Sequence, residues 1–219
     1  MIDTGFSLTL SLVVATLATL IVGVLGTGLG YILARCKFFG HDLLDAICSL
    51  PLVLPPTVVG FFLLEILGRH GVIGAPVYRY TGWTLVFTWQ AAVIAAVVVS
   101  LPFMIKTSRA AIESVDRTYE NVAFTLGKSE METAFKVTLP LAWKGLLAGI
   151  ALSFARALGE FGATVMVAGN IPERTQTMPL AIYQAVQNGN EQLVFGLVSL
   201  LTVISVAVLF SLNRLGARW

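Results

Sequence analysis

Charged residues are scarce in this 219-residue sequence. Asp, Glu, Lys and Arg make up 12% of it, and 57% of the residues are hydrophobic. Ordinary soluble domains carry about 25% charged residues, so the composition excludes that class and is typical of a protein dissolved in lipid. No polar stretch is long enough to fold alone. We therefore predict a single membrane domain over residues 1–219, with no nucleic-acid partner.

Cysteine and histidine are too few for the sites they usually build. Cys36 and Cys48 fall at or near the predicted cytoplasmic side, where no disulfide is expected, and their spacing fits no zinc pattern. We interpret both as small apolar side chains. His41 and His70 fall on opposite sides of the membrane and cannot share a metal ion. No metal site is expected.

Motifs for catalysis and nucleotide binding are also missing. The stretch LGKS at Leu126–Ser129 ends like a phosphate-binding loop, but that loop needs a glycine where this chain has Val122. No G-x-S-x-G elbow is present. The chain is therefore expected to be neither an enzyme nor the binder of a cofactor. If the system uses ATP, another polypeptide binds it.

Long hydrophobic runs are what the sequence has in place of charge. A hydrocarbon core of about 30 Å takes roughly 20 helical residues to cross. We predict an all-α membrane protein with five transmembrane helices. The predicted spans are Phe6–Ala34, Leu43–Leu67, Trp83–Lys106, Ala142–Ala168 and Leu193–Leu215. The first run lacks the basic start of a signal peptide and is expected to stay as a helix.

Two pairs of glycines lie inside these hydrophobic runs at a spacing of four residues. Gly26 and Gly30 form one pair, and Gly145 and Gly149 form the other. This spacing lets a second membrane helix approach closely. We interpret both pairs as packing sites, since no strand precedes the run GVLGTGLGY to make it a nucleotide-binding loop.

The basic residues predict the orientation of the spans. With the amino terminus outside, ten fall in cytoplasmic segments and three in outer loops. The ten are Arg35, Lys37, Lys106, Arg109, Arg117, Lys128, Lys136, Lys144, Arg214 and Arg218; the three are Arg69, Arg79 and Arg174. Because short cytoplasmic loops carry the excess of Lys and Arg, we predict a periplasmic N-terminus and a cytoplasmic C-terminus.

Prolines and charges interrupt two of the spans. Pro51, Pro55 and Pro56 each remove a backbone donor, so the second span should be broken, either for packing or as part of a transport pathway. Arg156 and Glu160 lie within the fourth span on one helix face. Charges at this depth pair with each other or mark function. A structural ion pair and a role in lining or gating a pathway both stay open.

The outer segment before the last span is too short to cross the membrane. It holds sixteen uncharged residues from Thr175 to Asn190, rich in Gln and Asn. We predict a surface or re-entrant helix that begins near Pro179 after a Thr177 cap.

Residues 107–141 form a cytoplasmic segment that predicts two short helices. Apolar residues at helical spacing define one face of each: Tyr119, Val122, Ala123 and Leu126 in the first, and Met131, Ala134 and Phe135 in the second. Gly127 suits a left-handed helix end, and Ser129 with Glu132 forms a capping box. Pro140 is expected to break the chain before the fourth span. The mixed charge of the polar face favours a protein partner over anionic lipid.

The same segment resembles the EAA loop of bacterial ABC importer permeases. Gly127 and the pair Leu139–Pro140 match that loop, and Ala123 matches its last alanine, while Asn121 stands where the loop has glutamate. The resemblance implies a role in coupling transport to a partner ATPase. The residues it assigns to coupling are Glu120, Asn121, Ala123, Gly127, Lys128, Leu139 and Pro140.

Three further stretches are similar to molybdate importer permeases: LPLVLPPTVVGFFLL, VDRTYENVAFTLG and RALGEFGATVMVAGNIPERTQTMPLAIY. The resemblance covers nearly the whole chain from the first span to the fifth. It implies a MetI-like ABC importer permease fold in the bacterial cytoplasmic membrane. It also implies a homodimer, two cytoplasmic ABC ATPase subunits that bind ATP and Mg, and a periplasmic oxyanion-binding protein. Transport would proceed by alternating access.

A dianion that crosses a largely uncharged lumen needs only weak hydrogen bonds, which Ser49 could supply together with pathway residues. The residues assigned to the translocation pathway are Pro51, Pro55, Pro56, Thr57, Ser153, Arg156, Glu160 and Thr164. Sulfate and tungstate permeases share parts of these stretches, so those substrates stay open. A secondary transporter or channel would show repeats or unpaired acids, and a structural subunit would not need the triple-proline break.

Overall fold

The computed structural model describes residues 3–217, apart from the side chains of 212, 213 and 215–217, and Arg218 lies outside it. Within this range the chain is helical and contains no strand. The helices are α1 (Thr4–Arg35), α2 (His41–Val53), α3 (Pro56–Leu67), α4 (Gly74–Thr81), α5 (Trp89–Glu113), α6 (Arg117–Thr125), α7 (Glu130–Thr133), a π-helical turn (Ala134–Thr138), α8 (Leu139–Leu158), α9 (Gly162–Val167), α10 (Met178–Gln187) and α11 (Glu191–Ala217).

Five spans are present if a bent helix pair counts as one. Four continuous helical stretches are long and apolar enough to cross a membrane: Thr4–Arg35, Trp89–Glu113, Glu130–Leu158 and Glu191–Ser211. α2 and α3 pass the same test together, but their axes are bent by 114°. The predicted number of five spans agrees with this count when the bent pair is one span, and the predicted break in the second span is confirmed.

α5 lies at the centre of the bundle, in contact with α1, α2, α3, α8 and α9. Its buried face is built from small residues, among which Ala91, Ala92, Ala95 and Ala96 are fully buried. Small side chains allow the backbones of membrane helices to approach and gain van der Waals contact. The core therefore depends on close backbone approach to α5.

The two glycine pairs let α1 and α8 approach α5 closely. A side-chain carbon added at Gly26 would lie 2.6 Å from Cγ of Met104, and one added at Gly149 would lie 2.8 Å from its sulfur. The Ser108 hydroxyl also donates to the Gly26 carbonyl at 3.0 Å. The prediction that these glycines serve helix packing is confirmed.

The third predicted span begins too early. Trp83 lies outside the helix, which starts at Trp89 because the Thr88 hydroxyl accepts the N–H of Ala91 as an N-cap. The helix also continues past Lys106 to Glu113. A basic residue such as Lys106 does not end a helix, so the first charge after a hydrophobic run is a poor marker of the helix end.

The fourth predicted span is wrong at both ends. Pro140 does not break the chain, since α7, the π-helical turn and α8 form one continuous helix. In the π turn the Leu139 N–H donates to the Ala134 carbonyl, five residues back, and Pro140 follows this wider turn without ending the helix. α8 ends at Leu158, so Ala168 lies beyond α9 rather than at the end of a span.

The helix predicted near Pro179 is α10. Thr177 occupies the N-cap position, but its hydroxyl makes no capping bond. Instead the Met178 N–H donates to the hydroxyl of Ser11 in α1 at 2.7 Å. Leu180, Ala181 and Ala185 are buried, and α10 contacts α1 and α11. The helix is therefore part of the packed bundle.

We predict that Gly30→Ala destabilises the protein while Gly28→Ala does not. A carbon added at Gly30 would meet the Ser108 hydroxyl and lie 3.0 Å from the backbone nitrogen of Arg109, whereas Gly28 has open space. Overpacking should lower the free energy of unfolding of the Gly30 variant by about 1–3 kcal/mol. Thermal unfolding in detergent measures the difference. Equal melting temperatures would contradict the packing role.

Candidate functional site

The first feature of the candidate pathway is the break between α2 and α3. Leu54 and Pro55 connect the helices in extended backbone, and Pro56 occupies the first turn of α3. Pro51 lies inside α2 without ending it, so of the three prolines expected to break the span only Pro55 and Pro56 lie at the break. One lost donor kinks a helix without ending it. The pair Pro55–Pro56 makes the bend.

A second break, between α8 and α9, faces the first. A side-chain carbon added at Gly162 would lie 2.9 Å from Cβ of Pro56, and one added at Gly60 would lie 2.8 Å from Cα of Ala163. The two broken helices therefore touch where their breaks occur. Irregular backbone at membrane depth is tolerated where it meets protein or a water-filled cavity, and discontinuous helices form binding sites in transporters.

Arg156 and Glu160 lie at this second break rather than in the middle of a span. Arg156 is in the last turn of α8, and its Nη2 lies 2.7 Å from Oε2 of Glu160 as an ion pair without hydrogen-bond alignment. The other carboxylate oxygen accepts the N–H of Ala163 at 2.7 Å. Glu160 is 3% exposed. This geometry favours the structural ion pair, with Glu160 also capping α9.

The hydroxyl groups predicted along the pathway do not lie together on an open surface. Thr57 is exposed beside the α2–α3 break. Ser153 and Thr164 are buried inside the chain, and the Ser153 hydroxyl has no partner among the described residues. The Ser49 hydroxyl donates to the carbonyl of Asp45. Of these four, Thr57 is the best placed to meet a solute outside this chain.

The second feature is the predicted coupling segment, whose first short helix and glycine elbow are confirmed, whereas the second predicted helix is the start of the continuous helix that leads into α8. The Thr118 N–H donates to the Asp116 carboxylate at 2.8 Å, which caps α6 and holds the pKa of Asp116 below its ordinary value. Gly127 adopts φ 77°, a left-handed conformation that favours glycine. The Ser129 hydroxyl accepts the Glu132 N–H at 3.2 Å and starts α7.

Glu120 faces the interior of the protein and not the exposed polar face that the sequence predicts. Its side chain is 9% exposed. Its Oε1 accepts a bond from Nε of Arg35 at 2.9 Å and another from the Thr138 hydroxyl at 2.7 Å. Oε1 of Glu120 is therefore engaged inside the chain, and the side chain offers little surface to a partner.

The apolar stripe predicted for α6 is correspondingly turned outwards. Ala123 is buried on the same side of α6 as Glu120. Ala134 is buried in the π turn. Six large apolar residues between the start of α6 and the π turn are exposed: Tyr119, Val122, Phe124, Leu126, Met131 and Phe135. We call these six residues the apolar patch. Asn121, Lys128 and Pro140 are also exposed, whereas Leu139 is partly buried.

Sequence reasoning missed Arg35 as a functional residue and used it only to predict orientation. One signal was available, since Arg35 has no acidic residue within four positions on its own helix. Asp45 was missed in the same way; its carboxylate pairs with Lys106 and with Arg109 of α5, the latter at 3.1 Å. These partners are distant in sequence, so their pairing could not be predicted from spacing.

Comparison with known proteins identifies the family. The family model described as "Binding-protein-dependent transport system inner membrane component" matches residues 26–219. The chain belongs to this family. It is a component of ABC transporters located in the inner membrane.

Relatives within the family include molybdenum and sulfate permeases. The chain is 44% identical over 205 residues to the putative molybdenum transport system permease protein YvgM of Bacillus subtilis, covering 94% of this chain and 90% of the relative. It is 47% identical over 178 residues to the molybdenum transport system permease protein ModB of Escherichia coli K12, covering 81% and 78%. The sulfate permease CysT of Salmonella typhimurium is 34% identical over 209 residues, covering 95% and 75%.

A solved structure shows the same fold. A chain of the MetNI methionine ABC transporter in an inward-facing conformation superposes with a TM-score of 0.76, covering 97% of this chain and 94% of that chain at 18% identity. The predicted MetI-like permease fold is therefore confirmed.

We predict that Glu160→Ala lowers the free energy of unfolding by about 3 kcal/mol, because it leaves Arg156 unpaired and removes the cap of α9. Glu160→Gln keeps an oxygen for the Ala163 N–H and should lose less. Thermal unfolding of both purified variants tests this order. Wild-type stability of Glu160→Ala would contradict a structural role for the pair.

Proposed function

We propose that this chain is the membrane-spanning permease subunit of an ATP-driven importer that carries molybdate across the cytoplasmic membrane. The observation that carries the proposal is the coupling segment, which presents the apolar patch outwards on two capped helices in a chain of the ABC importer family. The molybdenum permeases among its relatives support the substrate. Tungstate and sulfate are the alternative substrates.

The apolar patch supports a protein partner on the cytoplasmic side, here two ABC ATPase subunits that bind ATP and Mg. Exposed contiguous apolar surface marks interaction sites. Lys128 and Lys136 both pair with Glu132, so the surrounding charge is mixed rather than basic. Anionic lipid attracts a basic excess, and this segment does not offer one.

A second copy of the chain explains the exposure of the broken helices. α2 has no buried residue, and apolar side chains along α2 and α3 are exposed. They include Leu43, Ile47, Leu50, Val53, Phe61 and Phe62. In a homodimer these faces would meet around a central pathway, where the break at Pro55–Pro56 and Thr57 would be accessible to the substrate.

Transport in this proposal follows alternating access, with the N-terminus periplasmic and the C-terminus cytoplasmic. A periplasmic oxyanion-binding protein delivers the substrate, and selectivity resides mainly in that protein. ATP binding closes the two ATPase subunits and moves the coupling segments, which changes the packing of the broken helices. The coupling segments shift the equilibrium between the inward-open and outward-open states because they contact the ATPase subunits differently in each state.

We predict that Leu126→Asp lowers the amount of ATPase that co-purifies with the chain by about tenfold or more, because it places a charge in the apolar patch. Val72→Asp is the matched control, since Val72 is also exposed and lies in the loop between α3 and α4. Both variants are purified from membranes and the bound ATPase is quantified. Retention of the ATPase by Leu126→Asp would contradict the docking role of the patch.

Uptake by a strain that lacks the gene, with and without this chain, tests the substrate. We expect the chain to restore uptake of labelled molybdate. Excess unlabelled molybdate should suppress this uptake, and the same excess of sulfate should not. Suppression by sulfate as strong as that by molybdate would assign the system to sulfate instead.

A further inference from the structure

A single guanidinium group joins the ends of two membrane helices to the coupling segment. Arg35 is in the last turn of α1, and its side chain is 10% exposed. Its Nη2 donates to the carbonyls of Ile112 and Val115, both at 2.9 Å, at the end of α5. Its Nε donates to Glu120 of α6. Arg35 of α1 therefore contacts the end of α5 and α6, which lie about 80 residues later in the chain.

The glutamate extends this connection to a fourth part of the chain. Oε1 of Glu120 also accepts the hydroxyl of Thr138, which is fully buried in the π-helical turn before α8. The ends of α1 and α5, the coupling helix α6 and the start of α8 thus meet through one guanidinium and one carboxylate oxygen. We call Arg35, Glu120 and Thr138 the junction.

Few apolar contacts hold α6 in place. α6 has nine residues, and Glu120 and Ala123 are its only buried ones. A helix this short is not stable by itself in water, and one buried alanine provides little apolar contact. The direction in which α6 presents the apolar patch is therefore determined chiefly by the bonds of Glu120.

Other ion pairs near this segment differ in burial. Arg109 and Glu113 pair at 2.8 Å, but the Glu113 side chain is 48% exposed. Exposed pairs of this kind contribute little to stability. The junction, by contrast, is buried. Arg35 makes its three bonds with a planar guanidinium group, a geometry that a lysine ammonium cannot reproduce.

We propose that Arg35 is a positioning residue for energy coupling: the junction makes α6 move as one body with the cytoplasmic ends of α1, α5 and α8. A displacement of α6 by the ATPase is then transmitted to the helices that carry the substrate pathway. The proposal rests on the proposed function, since it assumes that an ATPase docks on the apolar patch. It assigns Glu120 to transmission inside the chain rather than to contact with the ATPase.

The test uses the permease reconstituted with its ATPase subunits and loaded binding protein in proteoliposomes. Arg35→Lys should retain the bound ATPase subunits but lose about tenfold of the ATP hydrolysis stimulated by the binding protein, the size of a typical coupling between sites. Thr138→Val, which keeps the shape and removes the hydroxyl, should lose stimulation in the same direction and to a smaller extent. Glu113→Gln is the matched control and should behave as wild type.

A distance measurement separates transmission from a merely stabilising role. Spin labels are placed at Lys37 and Thr125, which are exposed near the end of α1 and the end of α6, after replacement of the native cysteines. In the wild-type background the distribution of distances between the two labels should stay narrow, and its mean should be the same in nucleotide-free and ATP-bound complexes. In Arg35→Lys it should broaden or change with nucleotide.

Two results would overturn the proposal. One is wild-type stimulation and an unchanged distance in both Arg35→Lys and Thr138→Val. The other is loss of the ATPase from Arg35→Lys as complete as that from Leu126→Asp, which would place the junction in docking. Failure of the wild-type chain itself to bind an ATPase would instead overturn the proposed function, so the two failures are distinguishable.

Discussion

Inside a bilayer every backbone N–H and C=O needs a partner from the protein, because hydrocarbon supplies none. α1 and α11 meet this requirement as unbroken helices, and α5 does so except at Pro102, which has no N–H to donate. The two broken helices meet it at their breaks. Pro56 lies in a first helical turn, where no donor is needed, and Glu160 accepts the N–H of Ala163. The glycines at 60 and 162 let the two broken helices touch at their breaks.

The coupling segment depends on a different kind of interaction. The spans are held by close approach of small residues to α5, but α6 has almost no apolar core of its own. Its attachment is a buried ion pair between Arg35 and Glu120. A buried pair of this kind adds little net stability, but removal of one partner leaves a costly unpaired charge. This attachment leaves the apolar residues of α6 and α7 free to face outwards, as a docking surface requires.

Much of the fold follows from patterns within single helices. The number of spans, the break at Pro55–Pro56, the elbow at Gly127 and the cap at Ser129 are all set by local chemistry, and the sequence predicts them correctly. The ends of the spans are less predictable. α5 starts at Thr88 through a hydroxyl cap, and the π turn lets Pro140 sit in a continuous helix. Neither feature has a hydrophobic signal.

The side on which α6 is buried could not be predicted from its sequence. Helical spacing favours Tyr119, Val122 and Leu126 as the inner face, yet the inner face holds Glu120. The deciding partner, Arg35, lies 85 residues earlier in the chain. Apolar periodicity identifies a face that prefers to leave water, and it does not distinguish a core from a partner protein.

ATP-dependent accumulation of labelled molybdate in proteoliposomes tests the central claim most directly. The vesicles contain this chain with its ATPase subunits, the binding protein is added on one side, and ATP or a non-hydrolysable analogue is supplied on the other. The account predicts accumulation with ATP and none with the analogue. Equal accumulation in both, or accumulation driven by an ion gradient without the ATPase, would contradict it.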